Sequence, residues 1–409
     1  MRICMLARSI PAHAKGGLED HTMMICQGLV QKGHEVTMIT TQHPQGKEYE
    51  VVDGIEIYYT KGTIPGKYSW SWCRRSVEEF IRLHTLKRFD VVHGQSGGGI
   101  PFLLKGLNRK YNIPTVISLH GTTLDEIKSA WGVLLSSYKD IRNAFLSLRR
   151  ISYHIYSYSF VSRRALMRAD AIIATSNEQI KRIKILYQTK DSDLFVVYNG
   201  IDTRLFAPAS STELMEKYKI TQADKVILGV ARLTKEKGIQ NIIMAMPAIL
   251  NSIPEAKLII VGDGDYRKDL EILIDRLGLR KNIIIAGLVP YEELPLFYNL
   301  ADVFVNATIR VNGYDLTILQ AMACAKPVII SNLGSVPTVI THNEDGILIP
   351  PGDVRILTQE IIRVLKDKKL AENIGKKARE KIVSRFSLES MAEGTIKVYE
   401  VLLKKGRGK

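Results

Sequence analysis

The feature that most constrains this 409-residue chain is a recurrence. Short β-branched apolar runs are each followed by a longer stretch with helical spacing. The runs fall at residues 2–7, 35–40, 55–59, 91–93, 115–119, 171–175 and 194–197, with helical stretches between them, as over 20–31 and 76–86. A run that is apolar without alternation must be buried on both faces, and a parallel sheet covered by crossover helices does that. A second series begins later, with strands expected at 226–230, 257–261, 283–286, 303–305, 328–330 and 346–349. Its helices are expected near 239–250, 266–277, 292–300 and 316–324. Two α/β units in tandem follow. The joint is expected at Tyr198-Asn199-Gly200-Ile201-Asp202, followed by Phe206-Ala207-Pro208, because Asn-Gly and Pro are turn and breaker chemistry. The expected domains are 1–198, 199–385, and a C-terminal helix with a basic tail, 386–409, packing back towards the first domain. With 45% hydrophobic residues the chain can fill two cores, which excludes wholesale disorder.

No run approaches 18 apolar residues, so no spanning helix is expected. The N-terminal run is closed by Arg8 and is too short for a signal peptide; it reads as a first buried strand. Cys4, Cys26, Cys73 and Cys324 are scattered, so neither a disulfide framework nor a metal site has spacing to support it. They read as buried, reduced and inert thiols of a cytoplasmic protein.

The net charge of +15 needs a location before a meaning. Residues 127–169 carry eight Lys and Arg against Asp140 alone, and residues 397–409 carry five against Glu400. The first segment also holds Trp131, Tyr138 and Phe145, with Leu134, Tyr138, Ile141, Phe145 and Leu148 near helical spacing. A basic amphipathic helix of this kind suits an anionic membrane surface. The alternative is a core helix with a solvated basic back. Nucleic acid has the charge in its favour but no motif and no clustered stacking platform, so no nucleic-acid partner is expected.

Open parallel sheets bind ligands beyond the carboxyl ends of their strands, so chemistry is sought in the loops that follow strands. After the first strand, Gly16-Gly17 precedes a helix, where the backbone can approach an anion. A plain turn would look the same, and no G-x-G-x-x-G is present. After strand 226–230 come Arg232 and Lys237, two cations on one loop, suited to a diphosphate unless the loop is simply solvated. Asn312-Gly313-Tyr314-Asp315 precedes helix 316–324, whose free N–H groups favour an anion; Gln320 shares a helical face with Leu316, and Asp315 could simply cap the helix. His120 follows strand 115–119 and precedes Gly121, placed to reach into a cleft or to serve the core; His93 carries the same ambiguity.

Taken together these pieces resemble a GT4-type retaining nucleotide-sugar glycosyltransferase of the GT-B fold. They run in the family's order: Gly16-Gly17-Leu18-Glu19, Gly33-His34-Glu35-Val36, Phe89-Asp90-Val91-Val92-His93, His120-Gly121, Asn199-Gly200-Ile201-Asp202, Arg232 with Lys237-Gly238, Val261-Gly262-Asp263-Gly264, Ala321-Met322-Ala323 and Lys326-Pro327-Val328-Ile329. The resemblance implies an α/β architecture of two Rossmann-like parallel-sheet domains facing an interdomain cleft, with the donor held mainly by the second. It makes Arg232 and Lys237 the pair that neutralises the donor diphosphate, so no metal and no cofactor is expected. It places His120 at the donor sugar near the reacting carbon, and Gly16 and Gly17 on the loop that closes over sugar and phosphate. Gly313, Tyr314, Leu316, Thr317 and Gln320 fall to the donor site, and backbone around Gly287-Leu288-Val289 to the base.

One departure stands out. The family pattern E-G-F-G…E has two glutamates eight residues apart, and here those positions hold Asn312 and Gln320, with Asp315 in place of the second glycine. Neutral amides are weaker partners than carboxylates by about 1 kcal/mol per bond. Either Asp315 supplies the lost carboxylate, or the site is weakened. The expected function is transfer of a hexose from a UDP- or GDP-sugar to a lipid-linked or cell-surface glycan precursor, at the inner face of the cell membrane. A soluble acceptor, as in sucrose- or trehalose-type synthesis, and a non-catalytic nucleotide-sugar-binding scaffold are the alternatives.

Overall fold

The computed structural model describes residues 1–14, 16–121, 152, 161–309 and 314–407. The chain divides into two units, one formed by Met1–Gly200 with Leu388–Lys409 and the other by Ile201–Ser387. The division falls two residues beyond the 198/199 and 385/386 boundaries read from the sequence. The reason is local: Ile201 N–H donates to Phe386 O at 2.9 Å and Ile201 bridges to Ser387, so entry and exit of the second unit are stitched together.

Unit 1 is an eight-stranded sheet built from β1 (Arg2–Leu6), β2 (Glu35–Thr41), β3 (Tyr49–Val52), β4 (Ile55–Thr60), β5 (Val91–Gln95), β6 (Thr115–Leu119), β7 (Ala171–Ala174) and β8 (Leu194–Val196). Unit 2 is a six-stranded sheet of β9 (Lys225–Val230), β10 (Ala256–Val261), β11 (Ile283–Gly287), β12 (Val303–Asn306), β13 (Val328–Ser331) and β14 (Ile347–Ile349). Five helices enter the argument: α1 (Gly17–Gln31), α2 (Trp70–Leu86), α3 (Ile239–Ser252), α4 (Leu316–Ala323) and α5 (Leu388–Arg407).

The strand order in unit 1 is β3-β4-β2-β1-β5-β6-β7-β8. Every pairing is parallel except β3 with β4, so the expectation of a purely parallel sheet is corrected at this edge. Val52 pairs with Ile55 across Asp53-Gly54, and both turn residues have positive φ, the two-residue hairpin that Asp-Gly favours. As an edge strand β3 is only half covered and has no apolar run to announce it. By contrast β5 and β6 are buried at every position, and their apolar pairs Val91-Val92 and Val116-Ile117 are consecutive rather than alternating. Helix α2 begins at Trp70, six residues earlier than its spacing suggests, because Ser69 Oγ accepts from Trp72 N–H and caps the first turn. Its Trp72 and Phe80 pack on Cys4, Leu6, Val92 and Phe102. Helix α5 returns to unit 1 and lies on α1 closely enough that a Cβ on Gly28 would sit 2.9 Å from Ala392 Cβ.

Unit 2 has the order β11-β10-β9-β12-β13-β14, all parallel. Ile242 and Met246 of α3 close its core against Leu258, Ile260, Val303 and Val305. Deleting one such side chain costs about 2–5 kcal/mol, so the loops above this sheet stand on a stiff base.

The four cysteines are free; three are buried, and Cys73 is half-buried rather than buried as expected. Among the described residues no helix is long and apolar enough to cross a membrane. Of the basic aromatic stretch at 127–169 only residues 152 and 161–169 are described, so the membrane-facing helix expected there lies outside the described residues.

Candidate functional site

In unit 2 the chain leaves β9 at Val230 and passes through Ala231–Thr234 to a single 3-10 turn, Lys235–Lys237. Three glycines allow this loop. Gly238 has φ +73°, and a Cβ there would lie 1.8 Å from Ala307 O, so the turn presses onto the end of β12. At Gly262 and Gly264 in the loop after β10, a Cβ would lie 1.9 Å from Ala231 O and 2.4 Å from Leu233 O. Hydrogen bonds then pin the loop from both sides: Leu233 N–H donates to Asp263 O at 2.9 Å, and Ile309 N–H donates to Glu236 O at 2.9 Å. A loop fixed in this way presents its side chains at little ordering cost.

Arg232 is exposed, and among the described residues its guanidinium has no hydrogen-bond or ion-pair partner. Lys237 is different. Its Nζ lies 2.6 Å from Asp315 Oδ1, and the other carboxylate oxygen, Oδ2, accepts from Asn306 Nδ2 at 2.9 Å. Asp315 occupies the N-cap position of α4 but makes no side-chain cap; its carbonyl accepts from Ile318 N–H at 3.1 Å, which leaves the Leu316 and Thr317 N–H groups for another partner. Thr317 Oγ1, in that first turn, is buried without a hydrogen-bond partner.

Other residues expected at the donor site turn inward. Gln320 is 4% exposed and its Oε1 accepts from the Tyr298 hydroxyl at 2.7 Å. Tyr314 is buried, edge-on to Phe386 at 6.5 Å. Leu316 and Val289 are half-buried, Val289 following Gly287 at the end of β11, the edge strand beside β10. Asn312 and Gly313 lie outside the described residues. Asn306 and Tyr298, which hold Asp315 and Gln320, are not evident from spacing. Asn306 obeys the same rule as His120, a polar residue ending an apolar strand.

In unit 1 the residue that follows β6 is a histidine. His120 Nε2 lies 2.8 Å from Gln95 Oε1 at the end of β5, and its ring meets that of His21 edge-on, 4.4 Å between centroids. His21 is the fifth residue of α1, so the Gly16-Gly17 turn that opens α1 shares this end of the sheet with His120. Gly16 is extended at φ 176°, and no side chain caps α1. The ambiguity of His93 resolves towards the core: it is 1% exposed, with Nδ1 2.6 Å from the Tyr399 hydroxyl of α5 and Nε2 2.8 Å from Ser118 Oγ. Burial pushes His120 down to about 4 and His93 to about 3, and holds His21 well below 6.5. All three rings are neutral at pH 7. Gln95, His21, Ser118 and Tyr399 escaped the sequence reading because each comes from a different element. Among the described residues no group of three or more His, Cys, Asp or Glu side chains could hold a metal ion.

Two family models match this chain in tandem. One, described as Glycosyltransferase Family 4, matches residues 15–205; the other, Glycosyl transferases group 1, matches residues 210–381. The chain belongs to the GT4-type glycosyltransferases. It is 28% identical over 409 residues to an uncharacterized glycosyltransferase of Methanocaldococcus jannaschii, covering 98% of this chain and 99% of that one. It is 26% identical to alpha-monoglucosyldiacylglycerol synthase of Acholeplasma laidlawii, over 88% of each chain. A sucrose-phosphate synthase structure from Thermosynechococcus elongatus superposes with a TM-score of 0.79 over 99% of both chains at 21% identity, which establishes the GT-B fold. This glycosyltransferase thus carries Arg232 and Lys237 above the group 1 sheet and the neutral His120 above the family 4 sheet.

Proposed function

We propose that this glycosyltransferase moves a hexose, with retention of configuration, from a UDP- or GDP-sugar to a lipid-linked or cell-surface glycan precursor. The observation that carries the reading is Arg232: an exposed, unpartnered guanidinium on a glycine-built loop above the carboxyl end of β9. Charge grows on the diphosphate as the glycosidic bond breaks, and a fixed cation there stabilises the transition state more than the ground state. Lys237 joins it from the same loop, and the uncapped first turn of α4 offers further N–H donors. Side chains supply the neutralisation in this reading, without a resident cofactor. His120, uncharged at neutral pH, contributes a hydrogen bond to a sugar hydroxyl rather than a charge. The acceptor attacks on the face that the diphosphate leaves, with unit 1 holding the acceptor.

A lipid acceptor is supported by the full-length relative named for a glucosyldiacylglycerol product and by the basic composition. Trp70, at the head of α2, is 92% exposed beside Arg74 and Arg75, in keeping with work at the inner face of a membrane. Flotation with phosphatidylglycerol liposomes at low salt tests this; failure to float removes the membrane from the proposal.

A second reading, a nucleotide-sugar-binding scaffold, is favoured by one arrangement. Asp315 is committed to Lys237 and Asn306 rather than turned out as a replacement for the family's glutamates. Turnover across a panel of UDP- and GDP-sugars separates the two. The enzyme reading expects donor hydrolysis or transfer with at least one donor, and binding without turnover for every donor contradicts it.

A further inference from the structure

The sheet of unit 1 carries a cation that the donor chemistry does not use. Arg8 stands two residues beyond β1, which pairs with β5, which pairs with β6. It therefore shares the carboxyl edge with Gln95 and His120. Its guanidinium lies 5.4 Å over the Tyr68 ring, and its Nε is buried with no hydrogen-bond partner. Among the described residues it has no ion-pair partner either; Glu19 lies within electrostatic range of the Tyr68 hydroxyl but not in ion-pair contact with Arg8. The Tyr68 hydroxyl donates to Gln95 O at 3.0 Å, and Gln95 Oε1 meets His120. Arg8 is thus linked by direct contacts to the histidine of the site. A second orphan stands at the same place: His21, only 6% exposed and packed against His120, has no partner for Nδ1.

A buried donor left unpaired costs about 1–3 kcal/mol, more when it is charged. Two such groups within one network point to a ligand that completes them. An arginine laid on an aromatic ring is already oriented, and its planar fork matches a phosphate or carboxylate. The donor diphosphate has its own cations in unit 2. We propose that Arg8, backed by Tyr68 beside Gln95 and His120, heads a subsite for an oxyanion, a phosphate or carboxylate, borne by the acceptor. This rests on the glycosyltransferase reading, in which unit 1 holds the acceptor, and narrows that acceptor to an anionic molecule.

The test uses the full chain and titration calorimetry. The probes are inorganic phosphate, L-malate, phosphatidylinositol vesicles with phosphatidylcholine vesicles as control, and UDP and GDP for the donor side. The expected result is binding of at least one anionic probe, weakened about tenfold by Arg8→Gln, with UDP or GDP affinity unchanged. Phosphate or malate binding identifies a soluble acceptor, and binding only to phosphatidylinositol vesicles a lipid headgroup. Arg8→Lys keeps the charge but loses the fork, so a loss of about threefold is expected and covers the case in which Arg8→Gln does not fold. No binding by any anionic probe overturns the proposal, as does a loss in Arg8→Gln that falls on UDP or GDP instead. If neither UDP nor GDP binds while the anionic probe does so through Arg8, the donor reading fails and the subsite stands.

Discussion

The two units of this glycosyltransferase place opposite chemistry at equivalent positions. Above the sheet of unit 2 the candidate side chains are charged: Arg232 is exposed, and Lys237, 16% exposed, is paired with Asp315. At the strand end of unit 1 the candidate side chain is His120, half-buried, neutral and joined to Gln95, while His93, within β5, is buried against Ser118 and Tyr399. A cation meant for a solvated, doubly charged diphosphate must stay ionised, and exposure keeps it so. A ring meant for hydroxyl groups needs direction more than charge, and burial in a hydrogen-bonded network supplies direction while it suppresses protonation. In the proposed reading, the same strand-end geometry yields an electrostatic site in one unit and a positional one in the other.

That contrast can be broken by experiment. The largest effect is expected on turnover at His120. His120→Ala should lower kcat about a thousandfold, the scale of a positioned polar group at a reacting centre, while leaving UDP or GDP binding intact. Equal losses in binding and turnover would erase the distinction between the units. Next comes stability. Tyr399→Phe strands His93 Nδ1 and should cost about 1–3 kcal/mol in denaturant unfolding, with donor kinetics unchanged.

The histidines also give unit 1 a pH dependence of its own. An unfolded histidine binds its proton near pH 6.5, whereas folded His120 waits until about 4 and His93 until about 3. The unfolded state thus holds more protons across that window, and stability rises with pH. The contribution is complete above 6.5 and falls on acidification towards 4, by at most about 1.4 kcal/mol per pH unit for each histidine. Hydrogen exchange at pH 5 against pH 7 should show protection lost in β5 and β6 before β9 and β12; simultaneous loss argues against it. The smallest effect is expected at Asp315. Asp315→Asn frees Lys237 for the diphosphate and should tighten UDP or GDP binding about threefold, whereas weaker binding would mean that Asp315 serves to hold Lys237 in place.

How far the molecule could be read from its sequence follows the same division. Strands buried on both faces declare themselves as apolar runs, so thirteen of the fourteen described strands correspond to expected runs; β3 is an edge strand with one covered side and does not. The placement of Arg232, Lys237 and His120 was legible because each follows a strand, a rule of topology that linear order preserves. Gln95, His21, Asn306 and Tyr399 were not, because their partners lie on other strands or helices and no spacing records them. The direction of a side chain is also silent in sequence. Asp315 stands where a replacement carboxylate was sought, but its oxygens turn to Lys237 and Asn306.

The central claim is that, towards the donor, unit 2 supplies charge and unit 1 supplies position. Calorimetric titration of UDP and GDP into the wild-type chain, Arg232→Ala and His120→Ala tests it most directly. The account predicts that at least one nucleotide binds the wild type, that Arg232→Ala weakens it about thirtyfold or more, and that His120→Ala leaves it within about twofold. Unchanged binding in Arg232→Ala, or an equal loss in His120→Ala, would contradict it.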